Sequence, residues 1–324
     1  MLNIKWIGLI LILLLLVVLD TFCIPTNINP FTDFKLSETI LFSIRLPKIL
    51  TAMAAGIALS AGGLMLQQLF KNPLAGPYVL GVSSGASLAV GMVIIGGASL
   101  PFLHIFYFQS ISIALAGFIG AFVVLLLALL VSYRFGYSYI LLLFGVIIGQ
   151  ILGAFQTLID YLANPTDLKQ FSLWNMGSFY NTINDSLYIL VAFVSFGIIW
   201  SFRLMKPLSI MILGNDVAYT LGVKTKKVSL QILMCTGLLT GVVTAFCGPI
   251  AFIGMAVPNV ARMMYKTANF KKLLLFNVLV GAGMALFCDI IGNLPFFNFH
   301  LPINVSTALI GGPIVLFILL KRKY

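Results

Sequence analysis

Long apolar runs recur through the chain, and no other feature restricts its possible folds so strongly. Of its 324 residues, 61% are hydrophobic and only 8% are charged. A soluble globular protein carries about 25% charged residues, so a chain of this composition could not cover a surface that faces water. The runs are continuous and do not alternate with a period of two, which favours membrane-spanning helices over strands. The sequence therefore predicts an all-α, polytopic membrane protein.

Ten such runs predict about ten transmembrane helices, because about 20 apolar residues cross the hydrocarbon core once. The first run follows Lys5 and resembles the apolar part of a secretory signal peptide, but Phe22 does not suit a cleavage site before Cys23. We therefore interpret it as a retained helix within a single transmembrane domain that covers residues 1–324. The predicted spans are residues 6–23, 47–68, 78–97, 110–132, 139–161, 187–203, 229–246, 250–265, 273–292 and 305–320.

The charged residues predict the orientation of these helices. If the amino terminus lies inside, all of the 19 Lys and Arg residues except Lys35, Arg45, Lys48 and Lys169 fall in inner segments. Of the eight acidic residues, Asp216 alone falls in an inner segment. This distribution follows the positive-inside rule and requires an even number of crossings. We expect both termini in the cytoplasm of a bacterium and the protein in its cytoplasmic (inner) membrane.

Several functional classes do not fit the sequence. The net charge of +11 does not indicate nucleic-acid binding, because the basic residues form short clusters between apolar spans. The four cysteines have no C-x-x-C spacing, which argues against a metal site or a disulfide framework. The phosphate-binding sequence G-x-x-x-x-G-K-S/T does not occur, so we do not expect ATP to bind this chain in that way. We predict no catalytic residue, no metal and no cofactor on this chain.

One short sequence, Gly81-Val82-Ser83-Ser84-Gly85, matches the G-x-S-x-G pattern of serine hydrolases. A nucleophile elbow also needs a preceding strand, a base and an acid. Here the sequence begins a membrane span, and the two histidines, His104 and His300, lie at outer ends. We interpret these small residues as contacts between closely packed helices. An intramembrane hydrolase built on Ser83 or Ser84 is the alternative.

Other features indicate a transporter with a cytoplasmic connection of its own. Segments rich in Pro and Gly, Asn72–Pro77 and Gly311–Pro313, predict broken helices of the kind that line transport paths. Asp289 is a carboxylate near the end of a span, where such a group usually has a partner or a function. The inner connection, about residues 204–228, has an amphipathic apolar pattern. Two interpretations stay open for it: docking onto a cytoplasmic partner, or lying on lipid headgroups.

Several short motifs occur in a fixed order along nearly the whole chain. They are Arg45–Lys48, Gln67 with Lys71–Pro77, Leu80–Ala86, Leu213–Val223, Gly248–Arg262 and Thr307–Pro313. In this order they resemble the permease subunits of ABC importers for iron-siderophores, haem and cobalamin. The resemblance implies a cobalamin-importer-permease-like fold with ten helices per subunit. It also implies a dimer with a second copy or a related permease, and a central path for the ligand.

The resemblance implies roles for particular residues and partners. It predicts that a separate ATP-binding cassette subunit binds ATP and Mg and that an extracytoplasmic substrate-binding protein delivers the ligand. The residues expected to couple to the ATPase are Leu213, Gly214, Ala218, Leu221 and Gly222. Those expected to dock the binding protein are Arg45 and Lys48. Those expected along the translocation path or gate are Asn72, Pro73, Leu74, Gly81, Ser83 and Ser84.

The chain also departs from the pattern that it resembles. Asn259 stands where the family usually has His, and Asn293 follows the buried carboxylate where an Arg is usual. An outer E-x-P-x-G sequence is replaced by His300–Asn304, and an inner acidic segment by Ala268–Lys271. These departures leave open which iron chelate, haem or corrinoid is carried. An ion- or proton-coupled secondary transporter is the second hypothesis, although it would need more intramembrane charges than Asp289.

Overall fold

Helices form the regular structure of the chain wherever the computed structural model describes it, which is residues 4–22, 40–97, 110–135, 138–180, 182, 185–294 and 300–321. Twelve α-helices and no strand occur in these ranges. A π-helical turn, Leu41–Arg45, leads into α2, and a 3-10 turn, Pro77–Leu80, leads into α3. The helices are α1 (Ile4–Phe22), α2 (Leu46–Leu69), α3 (Val82–Gly97), α4 (Ser110–Phe135), α5 (Ser138–Leu162), α6 (Pro165–Asn175), α7 (Asp185–Met211), α8 (Asn215–Thr220), α9 (Thr225–Cys247), α10 (Ile253–Met264), α11 (Phe270–Gly292) and α12 (Ile303–Lys321).

Each of the ten predicted spans coincides with one of these helices, so the predicted all-α, multi-pass fold is confirmed. Seven of the described helices are apolar and long enough to cross a membrane. The apolar stretches of α3 and α12 are shorter, and α10 has only 12 residues. The two remaining short helices, α6 and α8, lie in the predicted outer and inner connections.

The chain before α10 is not helical, although a span was predicted to begin there. Gly248 and Phe252 have positive φ angles of 75° and 65°, which redirect the backbone after α9. Twelve helical residues rise about 18 Å, well short of the roughly 30 Å of hydrocarbon. The irregular backbone is held by Asn304, whose amide donates to the Pro249 carbonyl oxygen (2.7 Å) and whose Oδ1 accepts from the Ala251 amide (3.0 Å). Protein therefore satisfies a broken segment that lipid could not.

Small residues let α2 lie close to its neighbours at the centre of the bundle. A Cβ added to Gly56 would lie 2.2 Å from the carbonyl oxygen of Gly281 in α11. A Cβ added to Gly63 would lie 1.8 Å from the carbonyl oxygen of Gly254 in α10. Close backbone approach is how helices associate in lipid, where the hydrophobic effect gives no drive between them. The glycines of α2 therefore set the spacing of the core helices.

Two helices at the edge of the bundle expose most of their apolar side chains. Only 11% of α1 and of α5 is buried within their spans. α1 packs on α11 through Trp6, whose ring lies 5.4 Å from the Phe276 ring and 5.6 Å from the Tyr265 ring. Exposed apolar helices are stable in hydrocarbon and would be insoluble in water. The surface is therefore built for contact with lipid or with another membrane subunit.

The close contact at Gly63 makes a testable prediction about stability. Gly63→Ala should lower the free energy of unfolding by about 1–3 kcal/mol, because the new methyl group meets backbone that must move. Gly8→Ala is the matched control, since a Cβ at Gly8 meets nothing within 4 Å. Thermal unfolding of the two variants in detergent measures the difference. Equal midpoints for both variants would contradict the close packing described at Gly63.

Candidate functional site

Three charged side chains, Lys48, Asp20 and Asp289, form a buried ion cluster at the predicted outer end of the bundle. The Lys48 Nζ lies 3.1 Å from Asp20 Oδ1 and 2.5 Å from Asp289 Oδ2. Lys48 is 1% exposed, Asp20 0% and Asp289 5%. A buried charge without a partner is strongly destabilising, whereas paired charges satisfy one another. The single Lys48 ammonium contacts both carboxylates and balances one of their two negative charges, and the Asn293 amide adds a hydrogen bond to Asp289.

The ion cluster forms because three helices begin or end at the same level. Asp20 lies in the last turn of α1, Lys48 in the first turn of α2 and Asp289 in the last turn of α11. Pro47, beside Lys48, has no backbone N–H to donate and lies just after the π-helical turn Leu41–Arg45. α1 and α2 both pack against α11. The cluster consequently ties three helix ends together.

Polar groups extend the ion cluster toward the connection before α7. The Tyr180 ring centroid lies 5.0 Å from Lys48 Nζ, within cation–π distance. The Tyr180 hydroxyl donates to Asn293 Oδ1 (3.4 Å), and the Asn293 amide donates to Asp289 Oδ1 (3.2 Å). Burial raises the pKa of the Tyr180 hydroxyl, and the Lys48 ammonium only partly offsets this effect. Tyr180 therefore acts as a neutral hydrogen-bond donor beside the cluster.

The structure corrects the expectation that Lys48 docks a binding protein. Its ammonium is buried and is paired with two carboxylates of its own chain. Arg45, one turn earlier, is half-buried, and its Nη1 donates to the Thr21 carbonyl oxygen (2.6 Å). Asp20 was missed, although an acid at the end of an apolar run is the same signal that singled out Asp289. The sequence alone did not show which ends of which helices would meet.

A cavity of about 460 Å³, which we call the outer cavity, lies beside the ion cluster within one copy of the chain. Its lining includes Asp289, Asn293, Tyr180, Trp174 and His300. His300 is exposed and Asp289 is buried, so the cavity extends from the surface to the edge of the cluster. Its walls combine aromatic rings with hydrogen-bonding groups.

The predicted path residues Asn72, Pro73 and Leu74 form a tight turn at the opposite, inner end of α2. Asn72 Oδ1 accepts from the Leu74 backbone amide (2.9 Å). The Asn259 side chain in α10 donates to the Pro73 carbonyl oxygen (2.8 Å). Asn259, one of the departures from the family pattern, thus holds the turn in place.

A second set of hydrogen bonds connects the same two helices. The Gln67 side-chain amide of α2 donates to the Met255 carbonyl oxygen (3.0 Å), and Arg262 Nη1 donates to Gln67 Oε1 (2.8 Å). All three residues lie within the sequence motifs, but their mutual contact could not be inferred from spacing. The inner end of α2 is therefore fastened to α10 by side chains as well as by packing.

The other predicted path residues, Gly81, Ser83 and Ser84, lie where α3 begins. Gly81 has a φ of +73°, and a Cβ there would lie 2.8 Å from Ile148 Cγ2 of α5. Ser83 is buried and Ser84 half-buried. A 3-10 turn rather than a strand precedes them, and His300 lies at the other end of the bundle. The serines therefore lack the strand-turn-helix setting of a nucleophile elbow, while His104 lies outside the described residues.

The predicted coupling residues lie around α8, a six-residue helix between two glycines with positive φ, Gly214 and Gly222. Leu213 and Leu221 are 65% and 60% exposed, whereas Ala218 is fully buried. The Ala218 amide donates to the Gly214 carbonyl oxygen (2.9 Å). A buried alanine thus anchors α8 to the bundle and leaves apolar side chains exposed. Such an exposed apolar patch is typical of a docking surface.

Comparison with known proteins gives a consistent result over almost the whole chain. The model of the FecCD transport family matches residues 9–321. The hemin transport system permease protein HmuU of Yersinia pestis is 34% identical over 286 residues, 88% of this chain and 84% of that protein. The vitamin B12 import system permease protein BtuC of Escherichia coli O9:H4 strain HS is 32% identical over 324 residues, 99% of this chain and 96% of that protein.

A solved structure agrees with the sequence comparisons. It shows a metal-chelate type ABC transporter in an inward-facing conformation, and it covers 98% of this chain and 98% of its own. The TM-score is 0.85 at 27% sequence identity. The arrangement of helices is therefore shared along the full length.

The ion cluster predicts a large effect of removing its cation. Lys48→Met should lower the free energy of unfolding by about 3–5 kcal/mol, because it leaves two buried carboxylates without a counter-charge. Lys169→Met is the control: Lys169 is an exposed outer lysine, and its loss should change stability by less than about 0.5 kcal/mol. Denaturant titration of both variants in detergent gives the comparison. Similar losses for the two variants would show that the cluster is not a stabilising interaction.

Proposed function

We propose a transport function for this chain because it belongs to the FecCD transport family. The chain is the membrane-spanning permease subunit of an ATP-driven ABC importer in the bacterial cytoplasmic membrane. It forms the translocation path for an iron-siderophore, haem or cobalamin-type ligand. The observation that carries this proposal is the match to the family and to haem and vitamin B12 permeases over nearly the whole chain.

The energy for transport comes from ATP bound by a separate cassette subunit. The exposed leucines Leu213 and Leu221 beside α8 support a docking surface for that subunit on the inner side of the membrane. The alternative for this segment is the lipid headgroup region. Ala218 of α8 is fully buried in the main hydrophobic core, which supports a firm connection between a docked subunit and the bundle.

A second permease subunit completes the translocation path. α5 is apolar and mostly exposed; Gly145 and Gly149 pack near Gly81 and Ser84 of the same chain, whereas Gly153 lies on the exposed face. A Cβ at Gly153 meets nothing within 4 Å of the same chain. This face therefore fits close packing against another subunit. The partner is a second copy of the chain or a related permease.

An extracytoplasmic binding protein delivers the ligand to the outer end. Arg45 is the basic residue that supports docking there, since Lys48 is buried in the ion cluster. A charged group at a partly exposed rim mainly speeds encounter with an oppositely charged partner. The remaining outer surface includes His300 at the mouth of the outer cavity.

Reconstitution tests the proposed function directly. The chain is purified together with a candidate ATP-binding cassette subunit, and ATP hydrolysis is measured with and without a candidate binding protein. Each of three ligands, haem, cyanocobalamin and an iron-siderophore, is added in turn. We expect stimulation by the binding protein with one ligand class. If the permease and the ATPase form no complex, or if no binding protein stimulates ATP hydrolysis by the complex, the proposal is contradicted.

The coupling surface predicts a loss of communication without a loss of folding. Leu213→Asp with Leu221→Asp should reduce stimulated ATP hydrolysis by at least about ten-fold, because two charges would enter an apolar contact at a cost of more than 1.4 kcal/mol. The matched control is Leu213→Met with Leu221→Met, which conserves volume and polarity. Both pairs should keep the wild-type thermal midpoint. Full stimulation in the Asp pair would remove the coupling role from these leucines.

Docking through Arg45 predicts an effect that salt can suppress. Arg45→Glu should slow association of the binding protein by about ten-fold at low salt, since it reverses the local field. The effect should vanish near 1 M salt, where the screening length is about 3 Å. Lys169→Glu makes the same change of charge on another outer residue. Surface plasmon resonance measures the association rate of the binding protein with each variant. Equal slowing by both variants would show that Arg45 has no particular role.

A further inference from the structure

A second cavity, of about 450 Å³, lies at the inner end of the bundle between α7 and α11. Met205, Lys206 and Ser209 of α7 line one side. Phe270 and Lys271 of α11, with the preceding residues 268–269, line the other. We call it the lysine cavity. It is separate from the outer cavity and from the exposed leucines beside α8.

The lining of the lysine cavity is basic. Lys206 and Lys271 line it from opposite helices, and no acidic residue is part of the lining. Two more basic residues are adjacent in sequence: Arg203, one turn before Lys206, and Lys272. A cavity with two cations on facing walls and no counter-charge attracts an anion.

The floor of the lysine cavity is apolar. Met205 is fully buried, and Phe270 is half-buried against the main core. Both lysines are exposed, so their ammonium groups can reach solvent while their methylene chains cover apolar surface. A basic rim above an apolar floor fits a ligand that has an anionic head and an apolar body.

The backbone at the start of α11 is already occupied by its own cap. Asn269 Oδ1 accepts from the amides of Lys271 (3.1 Å) and Lys272 (3.2 Å). These two amides already have an acceptor and are therefore not available to bind an anion. The contacts with a ligand would come from the lysine side chains, with the positive end of the 23-residue helix adding to their field.

The position of the lysine cavity selects the source of the anion. A phosphate group could belong to a lipid or to free phosphate. The cavity lies where two long membrane-spanning helices reach the inner side, which is the depth of lipid headgroups. Basic pockets between transmembrane helices on the cytoplasmic side are suited to anionic headgroups. The depth and the apolar floor favour the lipid.

We propose that the lysine cavity binds the phosphate headgroup of an anionic phospholipid of the inner leaflet, with Lys206 and Lys271 as its charged ligands. The bound lipid braces the last turns of α7, which continue directly into the segment that carries Leu213. This proposal does not depend on which ligand the protein transports or on the identity of its ATPase.

Native mass spectrometry of the delipidated full chain tests the proposal. The protein is titrated with phosphatidylglycerol and, separately, with phosphatidylcholine. Phosphatidylglycerol should bind more tightly, and Lys206→Ala with Lys271→Ala should weaken it by about twenty-five-fold, about five-fold for each lysine. The matched control is Lys224→Ala with Lys227→Ala, which removes the same charge from two exposed inner lysines outside the cavity. The control should keep wild-type binding.

Three results would overturn the proposal. The first is equal affinity of the wild-type chain for the two lipids. The second is equal loss of phosphatidylglycerol binding in the cavity variant and the control variant, which would indicate a general charge effect. The third comes from acylation of Lys206 and Lys271: protection by millimolar inorganic phosphate but not by phosphatidylglycerol would show a site for free phosphate.

Discussion

The buried pairing of Lys48 with Asp20 and Asp289 is the interaction on which the outer half of the structure depends. In lipid, an ionised group must find its counter-charge within the protein, because no water is present to solvate it. The three groups come from three helix ends that are distant in sequence, so their pairing fixes α1 and α2 against α11. A cluster used in this way is a fastening between helices.

α7 runs from the outer cluster to the inner segment that we propose as the docking surface for the ATPase. Tyr180 lies over Lys48, and the hydroxyls of Thr51 and Thr182 are hydrogen-bonded, so the chain entering α7 is tied to α2. α7 then packs its buried residues, among them Leu190 and Leu204, into the main core. It ends beside α8 and the exposed Leu213. α7 therefore packs against the core between the outer cluster and the proposed docking surface.

Much of the fold could be predicted from the sequence, because apolar runs of membrane length have few alternatives in lipid. The ten spans correspond to helices, and the exposed leucines around α8 follow from the amphipathic pattern. The roles of Lys48 and Asn304 could not be predicted. A lysine near the outer end of a helix is expected at the surface. Lys48 is buried because the carboxylates of Asp20 and Asp289, which are distant in sequence, lie beside it. Asn304 satisfies the backbone break before α10 from about 50 residues away, which no local pattern reveals.

We propose that this chain moves its ligand with energy from a partner's ATP and that its buried charges have a structural role. Uptake into sealed proteoliposomes that contain the permease, the ATPase and the binding protein distinguishes ATP-driven transport from ion-coupled transport. Radiolabelled ligand should accumulate only when ATP is enclosed with the ATPase domains, and a protonophore should leave the rate unchanged. Accumulation without ATP that collapses when the proton gradient is removed would contradict the claim and assign the transport to ion coupling.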